Sequence, residues 1–68
     1  MIDIKQGDTV MVRSQGGRVT GEILRVNNRK VTVRGKERHI EENGQELTLY
    51  INEEFSVLGH NIVEVIET

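Results

Sequence analysis

Sixteen of the 24 apolar side chains in this 68-residue chain are valine or isoleucine, and none is alanine. A side chain branched at Cβ loses rotamer freedom against the preceding helical turn, yet packs well on a pleated surface, so this usage constrains the chain to strands. Proline is absent and seven glycines act as the punctuation. A domain of this size buries only about 60% of the surface its unfolded chain exposes, so its stability is marginal without help from partners or from copies of itself.

Periodicity places the strands. In "DTVMVR" Val10 and Val12 alternate inward against Thr9, Met11 and Arg13, followed by a turn in "SQGG". "RVTGEILRV" carries Val19, Gly21 and Ile23 on one parity but Leu24 and Val26 on the other, which predicts a bulge near Ile23 and Leu24. A two-residue loop at Asn28-Arg29 would set Val26 opposite Val31 and Leu24 opposite Val33. Asn43-Gly44 is the strongest short hairpin signal in the chain; it pairs Ile40 with Leu47 and turns Leu47, Leu49 and Ile51 inward. The same register sets Arg38 against Leu49, so Gly35 is expected to bend the strand and part of this hairpin to project beyond the core. "IVEVIE" supplies a fifth strand.

The expected fold is all-β: one domain over residues 1–68, a small, five-stranded, strongly bent antiparallel barrel. Its core should hold Val10, Val12, Val19, Ile23, Val26, Val31, Val33, Leu47, Leu49, Val63 and Val65. Phe55 joins them, while Tyr50 points outward.

Several classes of chemistry find no footing. Without cysteine there is neither a disulfide nor a thiol nucleophile, and His39 and His60 lie too far apart in sequence to suggest a metal site. Ser14 and Ser56 have no triad spacing, and the members of Glu41-Glu42 and Glu53-Glu54 point to opposite faces of a strand. We therefore expect a non-enzymatic protein with no cofactor and no metal. No apolar run approaches the roughly 20 residues of a membrane span, and "MIDIKQGD" is polar and acidic, so the expectation is a soluble, cytoplasmic protein.

Charge is divided along the chain. Residues 13 to 39 hold eight cations against Glu22 and Glu37, a local charge of +6, while the remainder holds Lys5 against nine acids, a charge of −8. On the proposed register Arg25, Lys30, Thr32 and Arg34 share the outer face. Like charges on neighbouring strands weaken a sheet, and phosphate is their natural counter-charge. Arg25, Arg29, Lys30, Arg34, Lys36 and Arg38 are accordingly the candidate nucleic-acid contacts. The alternative is that acidic segments meet this face within or between subunits.

Two family resemblances follow from motifs. "GDTVMVRSQGGRVTGEILRV" resembles the KOW motif of ribosomal and transcription-elongation proteins, through Gly7-Asp8, Val10, Val12, a glycine turn, Gly21, Ile23 and Val26. The same stretch resembles the first motif of Sm-like proteins through Gly16, Gly21, Ile23 and Asn27-Asn28. "VLGHNIVEV" is similar to their second motif at Val57, Gly59, Asn61, Ile62, Val63 and Val65, with Leu58 where the family has an arginine that helps clamp an RNA base. The resemblance implies an Sm-like or KOW/Tudor-like barrel. It adds Asn27, Asn28, His60 and Asn61 to the candidate site, with Gly59 allowing a sharp turn that Asn61 braces. It further implies self-association, with "LTLYINEEFSV" of one subunit pairing with "NIVEVIE" of the next. RNA or another nucleic acid is the expected partner and a homo-oligomer the expected state. The alternative is a protein-interaction or assembly module of the kind accessory to phages or plasmids.

Overall fold

The computed structural model describes residues 3–14 and 16–67, so Gln15 of the expected "SQGG" turn lies outside the described residues. Five antiparallel strands form one sheet: β1 (Thr9–Ser14), β2 (Gly17–Asn27), β3 (Lys30–Glu42), β4 (Gln45–Leu58) and β5 (Ile62–Glu67), in spatial order β4-β3-β2-β1-β5. A single 3-10 turn, η1 (Gly59–Asn61), links β4 to β5, and the described residues contain no α-helix.

The turns follow the sequence chemistry. Asn43 and Gly44 both have positive φ, 52° and 77°, the type I′ pattern whose twist matches that of the strands it joins. Asn28 alone is positive in the other two-residue loop, at 57°, as in a type II′ turn. Ahead of β1, Gly7 at φ 95° turns the chain, and the buried Asp8 accepts a 3.0 Å hydrogen bond from the Lys5 backbone N–H.

Val10, Val12, Val19, Ile23, Val31, Val33 and Ile62 form the core, with Ile4, Ile51, Phe55, Val57 and Val65 packed against it. The last five include side chains of β4 and of β5, the two opposite edges of the sheet, and both edges can reach one core only if the sheet curls on itself. Among the described residues no ladder joins β4 to β5, so the curl stays open along that seam.

The bend has an identifiable cause. Gly21 and Gly35 face each other across β2 and β3, both buried. Register shifts fall between Gly21 and Thr20 and between Gly35 and Glu37, on both sides of β3. A Cβ on Gly21 would run into the Arg34 carbonyl oxygen, and one on Gly35 would lie 2.9 Å from both Phe55 and Val19. Beyond the bend, His39 is the last β3 residue paired with β2, so Ile40 to Leu47 pair only with each other. This projecting ribbon, hereafter the arm, is the expected overhang, and its register pairs Ile40 with Leu47 and Arg38 with Leu49.

Four expected core residues are corrected. Val26, Leu47, Leu49 and Val63 are 42%, 39%, 46% and 37% exposed, and Val65 is half-buried. Leu47 has the inward parity, but the arm overhangs and no strand covers that face; Leu49 sits at its root. Val26 lies at the end of β2, past the strands that cover Ile23. The bulge falls where expected, yet Leu24 is the residue it leaves unpaired: Ile23, not Leu24, is opposite Val33.

Gly35→Ala should destabilise the domain by about 1–3 kcal/mol through overpacking, lowering the melting temperature by about 4–8 °C per kcal/mol in thermal denaturation. An unchanged melting temperature would remove the glycine pair as the cause of the bend.

Candidate functional site

The β2–β3 turn and η1 are some thirty residues apart in sequence, and the fold brings them to one end of the sheet. The tether is a backbone hydrogen bond in which Gly59 N–H donates to the Arg29 carbonyl oxygen at 2.9 Å, next to the ladder pair of Lys30 and Leu58. Between them lies an open cleft. Ile4, Val26, Val31 and Leu58 supply apolar lining, and Asn28, Arg29 and His60 bring polar groups to it. Asn27 and Lys30 line a second depression, which shares Asn28, Arg29 and Leu58 with the first. Val26 and Leu58 are 42% and 43% exposed, so the apolar lining is open to a ligand. Arg29 and Lys30 are exposed and form no ion pair among the described residues.

The remaining expected contacts lie elsewhere. Arg25 and Arg34 are on the outer face as expected, but Glu54 of β4 sits between them, 3.7 Å from Arg25 and 3.5 Å from Arg34. Arg34 also donates to Asn52 Oδ1 at 3.1 Å. Lys36 lies 3.9 Å from Glu22. Arg38 lies across the glycine bend, half-buried, and donates to Ser14 Oγ at 3.4 Å. The basic face is thus partly neutralised within the subunit, whereas Arg29 and Lys30 at the turn keep no carboxylate partner among the described residues.

Around η1 the backbone differs from the expectation. Gly59 does not have positive φ, and an added Cβ would meet only the Arg29 oxygen, at 3.9 Å. Asn61, half-buried, makes no side-chain hydrogen bond with the described residues, so the 3-10 turn is held by the Gly59 N–H rather than by an asparagine brace.

One pair escaped the sequence reading. Arg13 and Arg18 are direct cross-strand partners on β1 and β2, both exposed, with no acidic partner among the described residues. The signal was present, because a two-residue loop inside "SQGG" pairs Ser14 with Gly17 and hence Arg13 with Arg18. On the neighbouring strand, His39 is hydrogen-bonded at Nε2 to Thr20 Oγ1 (2.9 Å) and at Nδ1 to Thr48 Oγ1 (3.3 Å), which accounts for its ring as part of the sheet surface.

Comparison with protein-family models, with curated proteins and with solved structures found no match for this chain.

Gly59→Ala should change stability by no more than about 0.5 kcal/mol, the range of an ordinary surface substitution. Chemical denaturation showing a loss several times larger would restore a special conformational role for this glycine.

Proposed function

We propose that this chain is a non-enzymatic binding module that takes single-stranded RNA, or another nucleic acid, at the cleft between the β2–β3 turn and η1, and that it also self-associates into a homo-oligomer. The observation that carries the reading is the Gly59–Arg29 tether, which sets an open apolar lining beside two cations without carboxylate partners. Each part suits one part of a nucleotide. Arg29 and Lys30 can neutralise backbone phosphate and release its counterions. The exposed faces of Val26 and Leu58 offer an unstacked base an apolar surface, with Asn28 and His60 able to hydrogen-bond its edge. Leu58, where Sm-like proteins carry an arginine, makes that base contact apolar rather than charged.

The self-association reading is supported by the sheet edges. β4 and β5 each present one unpaired side, and neither Gln45–Leu58 nor Ile62–Glu67 contains a lysine or proline to discourage a neighbour.

Fluorescence anisotropy with labelled single-stranded RNA across a salt series tests the ligand. The double variant Arg29→Ala/Lys30→Ala should bind more weakly, with a salt slope shallower by about 0.7 for each phosphate it no longer neutralises. Glu54→Gln should do the reverse: it releases Arg25 and Arg34 from a solvent-exposed ion-pair network whose contribution to stability is at most about 1 kcal/mol, so binding should tighten while folding changes little. A parent protein that binds neither RNA nor DNA would shift the reading to a protein-interaction module, for which the exposed Leu47, Leu49 and Tyr50 provide the surface.

A further inference from the structure

The two ends of the molecule are complementary. β3 runs from Lys30 to Glu42, and at about 3.3 Å per residue its 13 residues match the 38 Å long dimension of the protein. One end carries the exposed Arg29 and Lys30 beside the apolar cleft. The other is the tip of the arm, where Glu41, Glu42 and Glu46 are exposed and form no ion pair among the described residues. Glu41 and Glu46 are direct cross-strand partners, a like-charge pairing that weakens the hairpin holding them. Arg18 lines a depression with both but forms an ion pair with neither. Just behind the acids, Leu47 and Leu49 are 39% and 46% exposed. Each end therefore combines unpaired charge with uncovered apolar surface, and the signs are opposite.

We propose that the acidic tip of the arm docks into the basic turn and cleft of a second copy, giving a head-to-tail assembly. This rests on the self-association part of the function proposed above and gives it a contact distinct from the sheet edges: Glu41, Glu42 and Glu46 of one copy against Arg29 and Lys30 of the next, with Leu47 covering Val26 and Leu58. Within one molecule the two charge sets are separated by several Debye lengths of about 8 Å and do not attract each other; brought into contact between molecules, they do. The contact is heterologous, so it closes into a ring or propagates as a filament according to its rotation. It occupies the cleft assigned to nucleic acid, so the two occupants exclude each other.

Light scattering on nuclease-treated protein tests the arrangement with two charge-reversed full-length variants, Glu41→Lys/Glu42→Lys/Glu46→Lys and Arg29→Glu/Lys30→Glu, each checked for parental circular dichroism. The parent should exceed its 7.7 kDa monomer mass at low salt and dissociate toward it near about 1 M salt. Each variant alone should be monomeric, and an equimolar mixture should assemble again, because each reversed end then meets its opposite. Variants that assemble as the parent does, or a mixture that stays monomeric, would overturn the tip-to-turn contact and leave self-association through the sheet edges standing. A monomeric parent would overturn both.

Discussion

A single five-stranded sheet has two faces, and this chain has apolar side chains enough to bury only one. The structure depends on wrapping that face around itself, and the wrap depends on two positions where there is no side chain at all. Gly21 and Gly35 lie opposite each other, Gly21 against the Arg34 carbonyl and Val33, Gly35 against Phe55, Val19 and Ile51. With a Cβ at either position the strands would have to separate by part of an ångström or more. Phe55 and Ile51 could then no longer close over Val19 and Val33, and several of the seven buried side chains would be left without the partners that exclude water. Each fully buried valine or isoleucine contributes about 1.5–3 kcal/mol relative to its exposed state, so little such damage can be tolerated in a domain this small.

Local pattern was a good guide wherever the interaction was local. Asn43-Gly44 announced both its turn and its register, Ile40 with Leu47 and Arg38 with Leu49, because a two-residue loop leaves no slack in the pairing that follows. Asn28-Arg29 did the same for Val26 and Val31. Parity also named the inward face of the arm, but parity says which way a side chain points and nothing about whether another element lies there. Leu47 and Leu49 point the expected way into solvent. The choice between Ile23 and Leu24 failed for a related reason: a bulge can be located from a break in alternation, while the residue it ejects is decided by the partner strands.

The candidate site divides along the same line. Asn27–Lys30 and Gly59–Asn61 meet at one end of the sheet, and the backbone brings them there without the glycine and asparagine roles that the Sm-like resemblance suggested. The electrostatics were legible only as an alternative, that acidic segments meet the basic face within the subunit, without the residues that do so. Glu54 reaches Arg25 and Arg34 across strands that are separated by twenty or more residues in sequence, so a count of charge along the chain overstates the positive field at the middle of the outer face. The same count understated the turn end, where two cations stand clear of every described carboxylate. Exposed pairs of the first kind are weak, about 0–1 kcal/mol each, so they tune a surface without fixing it.

The arm also divides the molecule mechanically. All side chains from Glu41 to Tyr50 are exposed, so the ladder there is held by backbone hydrogen bonds, the twist of one turn and little buried area. A two-stranded ribbon of that kind is marginal in water, whereas the fully buried side chains among the described residues all lie outside it. Opening of the arm can therefore proceed without global unfolding, as a separate cooperative unit at the low end of the stability range. The ribbon is thus the part of the molecule that costs least to open, while the curled sheet that carries it keeps its core closed.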